Sequence, residues 1–191
     1  MPAIDAWLPL ASVLGIYVAR LAEVRTRRQT VAGPVKETLT LRLFILCGTA
    51  MTFGGITEYL LRHQRLHWLT FVAGWICGLA SFAIRRQAIA TLGKFWSLHV
   101  EIRDQHEMVH GGPFRWVRHP TYFSMVLELL SAALILNAFG TLLAVTVIFV
   151  PALIYRVRIE EQALVEKFGD AYRAYQQTTP ALFPYKWPST K

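Results

Sequence analysis

Residues 66–84 read LHWLTFVAGWICGLASFAI, a run without a single Lys, Arg, Asp or Glu. As a helix rising about 1.5 Å per residue it covers about 28 Å, close to the roughly 30 Å of hydrocarbon in a bilayer. Two more apolar runs of spanning length precede it, at residues 4–22 and 43–61. After it a polar segment, 85–120, leads into a second long apolar stretch, 121–155, whose only formally charged residue is Glu128. That stretch is too long for one crossing as a helix, so it is expected to fold back at Asn137-Ala138-Phe139-Gly140, where Asn and Gly favour a turn. The remainder, 156–191, begins as an amphipathic helix and ends among Pro180, Pro184 and Pro188, which stop helices. The expected fold is all-α: one polytopic integral membrane domain with about five transmembrane helices, the last two a short hairpin, and a small cytosolic cap.

Composition agrees with this reading. The 191 residues are 54% hydrophobic with a net charge of +8, and the mean hydropathy is +0.36 at a pI near 9.9. A basic balance suits nucleic acid, but here long uncharged stretches interrupt the Lys and Arg residues, so no single basic face forms. A membrane with anionic headgroups accounts for both features. Cys47 and Cys77 each sit inside an apolar stretch without metal or disulfide spacing and read as packing residues. The start, Met1-Pro2-Ala3-Ile4-Asp5, lacks the positive region of a secretory signal, so the first apolar run is expected to remain as a span.

Orientation follows from the cations near the span ends. Eighteen Lys and Arg fall in segments expected on one side, in the groups Arg20 to Arg42, Arg85 to Arg118 and Arg156 to Lys191; only Arg62 and Arg65 fall on the other. The positive-inside rule puts the 85–120 segment and the C-terminus in the cytosol and the N-terminus outside. Two polar segments distant in sequence then meet on one face, where a cofactor site is expected.

The densest chemical signal runs from His106 to Tyr122. Its glycines permit close backbone approach to a ligand, Phe114 and Tyr122 offer aromatic surfaces for an adenine or a sulfonium, and Pro120 suits a first helical turn. A second signal is Arg156 with Glu160, a cation and a carboxylate on one helix face. Alone, that pair also reads as a solvated ion pair. His106-Glu107-Met108-Val109-His110 fits the H-E-x-x-H pattern of zinc proteases, but Gly111-Gly112-Pro113 follows at once where that motif needs a helix, and no third ligand motif is evident. No metal is expected. His63 and His67, with Trp68, Trp75, Trp96, Trp116 and Trp187, read as interfacial or packing residues. Glu58 lies near the outer end of its span and is expected to be wetted. Glu128 lies deeper, as a hydrogen-bonded acid, a partner for an Arg, or a substrate contact.

Several of these residues resemble one known family. Leu92-Gly93-Lys94-Phe95-Trp96-Ser97, the segment His106 to Val109, Gly112-Pro113-Phe114, Arg118 to Tyr122, Glu160-Glu161 and Phe168-Gly169-Asp170-Ala171-Tyr172 look like the isoprenylcysteine carboxyl methyltransferase family, related to the phospholipid methyltransferases. The resemblance covers roughly residues 92–184. It implies S-adenosylmethionine as cofactor, S-adenosylhomocysteine as product, and an amphipathic, prenylated or lipid-like acceptor entering from the membrane. By the same resemblance His99, His106, Glu107, Met108, Val109, Phe114, His119, Pro120, Thr121, Tyr122 and Glu160 contact the cofactor, and Arg156 faces the methyl-accepting group. Phe114 stands where a Tyr is usual and His99 where Gln occurs in prenyl-protein enzymes, which leaves the acceptor open. Carboxyl O-methylation of a prenylcysteine-type substrate is the leading expectation, with N-methylation of an aminophospholipid or O-methylation of a phenolic lipid as alternatives.

Overall fold

A computed structural model describes residues 2–25, 38–93, 96 and 108–186. Among them are six α-helices: α1 (Pro2–Arg25), α2 (Leu39–Leu61), α3 (Trp68–Leu92), α4 (Pro120–Leu136), α5 (Phe139–Phe168) and α6 (Asp170–Thr178), with a 3-10 turn at Gly112–Arg115 before α4. Four of these, α1, α2, α3 and α5, are long and apolar enough to cross a membrane, and α4 is a shorter apolar helix. Their buried faces meet in one core that includes Val13, Phe44, Met51, Leu129, Ile135 and Phe149.

The reversal expected at 137–140 is present and its causes are visible. Asn137 ends α4 in the left-handed region at φ 51°, and Ala138 N–H returns to the Ala133 carbonyl at 2.9 Å. Glu58 of α2 then caps the next helix, accepting from Gly140 N–H at 3.2 Å, Thr141 N–H at 2.6 Å and the Thr141 hydroxyl at 2.7 Å. A carboxylate over exposed helix N–H groups is favourable on both hydrogen-bond and dipole grounds. Glu58 is therefore not simply wetted but engaged as a helix cap, with the exposed Arg62 3.2 Å from it.

Three boundaries differ from expectation. The second span starts at Leu39, ahead of residue 43. The segment expected to turn polar at Arg85 is still helical to Leu92. Arg85 is buried against Glu23, 3.6 Å away, so its charge is matched inside the bundle and does not end the helix. Finally, no new helix begins at Arg156. With no Gly or Pro between Pro151 and Gly169, α5 continues for 30 residues, or about 45 Å, more than a bilayer's hydrocarbon. The expected hairpin arm and the expected C-terminal helix are one element.

Close contact between α3 and α4 depends on small residues. A Cβ on Gly74 would stand 2.7 Å from Ile135 Cγ1 and 2.9 Å from both the Ile135 nitrogen and the Ser131 carbonyl. The Ser131 hydroxyl donates to the Gly74 carbonyl at 2.7 Å and the Ser81 hydroxyl to the Ser124 carbonyl at 2.7 Å, so two helices are joined where lipid offers no competing partner. Gly74→Val is expected to lower stability by about 1–3 kcal/mol, since backbone atoms must move to admit it. Thermal unfolding in detergent checks this, with Gly15→Ala, where nothing lies within 4 Å, as the neutral control.

Candidate active site

At one end of the bundle the start of α4, the last third of α5 and all of α6 converge. Pro120 fixes the first turn of α4. Gly169, at φ 57°, turns the chain sharply from α5 into α6. Beyond α6, the Pro180 and Ala181 carbonyls accept from Arg118 N–H and His119 N–H at 2.9 Å each. The tail thereby closes over the residues that precede α4.

The side chains so gathered form one ionic network. Arg118 donates through Nε to Glu161 Oε1 at 2.8 Å, with Nη2 2.6 Å from the same oxygen, and also bonds the Gln176 and Thr179 carbonyls. His119 Nε2 lies 3.1 Å from Glu161 Oε1 and its Nδ1 3.7 Å from Glu160 Oε1. The Tyr122 hydroxyl donates to Glu160 and accepts from Arg156 Nε at 2.9 Å. Arg156 Nη1 donates to the Thr40 hydroxyl of α2 at 3.0 Å. The His119 ring stacks on Tyr122, centroids 5.5 Å apart and planes 18° from parallel. These contacts hold Arg156, only 3% exposed, in one orientation.

Burial by itself would push the His119 imidazole down. Hydrogen bonds and charge from Glu160 and Glu161 outweigh it and hold the group up, at about 9. A raised value means that the stabilisation is complete below the unfolded pKa of about 6.5 and is lost as pH rises through about 9. The melting temperature in detergent is therefore expected to fall between about pH 6.5 and about pH 9. A flatter profile in folded His119→Gln would assign the slope to this imidazole; an unchanged slope would refute the assignment.

These residues open onto a cavity of about 320 Å³. Of the positions expected to contact a cofactor, Met108, Val109, Phe114, His119, Thr121, Tyr122 and Glu160 line it, as does Arg156. Pro120 is buried but is not part of the wall. His99, His106 and Glu107 lie outside the described residues. His110, the last residue of the H-E-x-x-H pattern, sets its ring edge-on to Tyr175 at 4.6 Å. Tyr172 and Tyr175 of α6 also face the cavity. The Tyr175 hydroxyl donates to the Phe114 carbonyl. The Tyr172 hydroxyl is buried and has no hydrogen-bond partner among the described residues. Burial pushes both phenols well up, so each stays protonated and can donate.

A buried donor without a partner among the described residues, lining the same cavity as Glu160 and several aromatic side chains, fits a ligand that brings a cation, hydrogen-bond acceptors and a flat ring. S-adenosylmethionine has all three. From this polar end the cavity continues as an apolar slot between α1, α2 and α4, past Ile16, Phe44, Met51, Leu129 and Ala132. Sequence reasoning did not single out Thr40, Tyr172, Tyr175 or the Arg118–Glu161 pair as site residues. The last lie 43 positions apart, and only the fold shows that they meet.

The buried charges of this helical bundle thus open onto a cavity whose inner walls, between α1, α2 and α4, are largely apolar. Residues 74–166 match the model of the isoprenylcysteine carboxyl methyltransferase (ICMT) family. The chain is similar to an uncharacterized protein, YpbQ, of Bacillus subtilis, at 28% identity over 168 residues covering 84% of this chain and 96% of that one. It is also similar to a probable protein-S-isoprenylcysteine O-methyltransferase of Oryza sativa subsp. indica, at 24% identity covering 95% and 96%. A protein-S-isoprenylcysteine O-methyltransferase of Schizosaccharomyces pombe is 28% identical over 60% of this chain and 49% of its own length. The protein is an integral membrane methyltransferase.

Proposed function

We propose that the protein methylates the carboxylate of a prenylcysteine-type, lipid-like acceptor, using S-adenosylmethionine, at the cytosolic face. The observation that carries this reading is that a buried, oriented guanidinium, Arg156, stands where the polar end of the cavity meets the apolar slot. S-adenosylmethionine supplies an electrophilic methyl on a sulfonium. Glu160, the Tyr172 hydroxyl and the faces of Phe114 and Tyr122 are the groups available to hold it. Arg156 would pair with the acceptor carboxylate while the slot takes its tail. A carboxylate is already ionised at pH 7, so no strong base is required. The residues then act by alignment and by exclusion of water.

Purified protein incubated with labelled S-adenosylmethionine and a panel of prenylcysteine, aminophospholipid and phenolic acceptors tests the reading. Label is expected in a base-labile ester of the prenylcysteine. Label in a stable amine or ether instead would replace the acceptor class, and activity abolished by a chelator would revive a metal reading of the His106–His110 segment. The topology has its own check. From the eighteen-to-two distribution of cations, cysteines introduced at Arg115 and Lys186 are expected to react with the same impermeant reagent from the cytosolic side only. Labelling from opposite sides would refute the composite site.

A further inference from the structure

The cavity has a second charged wall that the proposed methyl transfer leaves unused. Arg20 of α1, Arg85 of α3 and Glu128 of α4 all line it. Arg20 Nε donates to Glu128 Oε2 at 2.8 Å, and its Nη2 lies 2.7 Å from the same oxygen and 3.1 Å from the Ser81 hydroxyl. Its Nη1 pairs with Glu23, and its guanidinium lies over the Phe82 ring at 4.4 Å. Arg85 faces Glu23. Among the described residues two cations and two carboxylates thus face one another here. Arg20 is engaged through all three nitrogens. Glu128 is not similarly occupied: both of its contacts fall on Oε2, and Oε1 has no partner among the described residues. The side chain is 23% exposed and lines the cavity.

Ion pairs in a bundle carry a desolvation penalty that apolar packing avoids, so a cluster kept there with an open carboxylate oxygen points to use rather than to stability. Its position bears on what it reads. Thr121, Tyr122, Met125, Glu128, Leu129 and Ala132 form the cavity-facing stripe of α4. Glu128 is six residues beyond Tyr122, about 9 Å along the axis, where the wall turns apolar. The charge balance bears on it too. An anionic group would face the carboxylate. An ammonium would add a third cation beside Arg20 and Arg85. A neutral donor satisfies the open oxygen and leaves the balance intact.

We propose that Glu128 is a second recognition point for the acceptor, taking a neutral O–H or N–H donor about 9 Å deeper along α4 than Tyr122, the residue that Arg156 contacts, at the head of the apolar tail. This rests on reading the slot as the acceptor's channel, but it is tested by binding, which requires no methyl transfer. Four amphipathic carboxylic acids of matched chain are titrated calorimetrically into the detergent-solubilised protein. At that depth they carry no polar group, a hydroxyl, a secondary amide or an ammonium. The hydroxyl or the amide ligand is expected to bind about tenfold more tightly than the bare chain, the gain typical of a hydrogen bond to a charged group, and the preferred one identifies the donor. The double variant Arg20→Met with Glu128→Leu replaces the pair by apolar groups and is expected to reduce the preference to within about twofold. Should that variant not fold, the isosteric Glu128→Gln is read instead, with a loss of at least about threefold in preference expected because the charge on the accepting oxygen is gone. Equal or absent binding of all four ligands to the unaltered protein, preference for the ammonium, or a preference that survives the substitutions overturns the proposal. Donor-dependent binding without ester formation would refute the reaction and keep the subsite; ester formation without donor preference would do the reverse.

Discussion

Arg156→Lys is expected to lower turnover of a prenylcysteine-type acceptor by about 100-fold while changing affinity for S-adenosylmethionine by no more than about twofold. The guanidinium is planar, and its plane is set by Nε on the Tyr122 hydroxyl and Nη1 on the Thr40 hydroxyl. A lysine ammonium keeps the charge but cannot make both contacts and also meet a carboxylate in a fixed plane. Loss of one or two charge-assisted hydrogen bonds at about 1.5–3 kcal/mol each corresponds to the stated factor. Glu128→Gln, at the other charged wall, is expected to reduce turnover of the same acceptor by less than about tenfold, because that residue is placed to bind the acceptor rather than to ionise it. Steady-state kinetics on folded variants decide the matter. If Glu128→Gln proves the more damaging, the transfer is base-assisted and a hydroxyl acceptor, with a pKa near 10 for a phenol, becomes the better assignment.

Most of the architecture could be read from hydropathy, because a bilayer admits few backbone solutions and an uncharged run such as 66–84 has one natural reading. Two of the misplaced boundaries share a cause. Arg85 and Arg156 mark span ends in a linear reading, since a cation usually lies in water. Arg85 and Arg156 instead have partners inside the bundle, Glu23 for one and Tyr122 with Thr40 for the other. Whether a charge is paired within the fold is a tertiary property that a linear pattern does not carry. The same limit applied to the site. His119, Tyr122, Arg156 and Glu160 were singled out on local motif and helical spacing with the family resemblance, and these do meet. Arg20 with Glu128 and Arg118 with Glu161 are separated by 108 and 43 positions, and neither pairing leaves a local signal. Glu128 shows the boundary clearly: an ionisable group deep in a span raised the question of a partner, and only packing named Arg20.

At the polar end of the cavity two substitutions should part company. Glu160 has a side chain 31% exposed at the cavity and is bonded to Tyr122, whereas the His119 side chain is 2% exposed and lies between two carboxylates. Glu160→Gln removes one negative charge from the polar end but keeps shape and a hydrogen-bonding oxygen. It is expected to leave the protein folded and to weaken S-adenosylmethionine binding by about tenfold, a difference of about 1.4 kcal/mol. His119→Ala removes the cation that Glu160 and Glu161 share and leaves a space beneath the Tyr122 ring, which stacks on it. Arg118 still holds Glu161, but Glu160 keeps only Tyr122 among its hydrogen-bond contacts within the polar end. That variant should therefore lose stability as well as affinity, since a buried group stripped of its partner bears the desolvation penalty. Calorimetric titration with S-adenosylmethionine, run beside thermal unfolding, separates the two effects. Wild-type affinity in both variants would remove the cofactor from this end of the cavity. Weakened binding in His119→Ala at unchanged stability would instead make the imidazole a direct contact of the ligand rather than the support of its carboxylates.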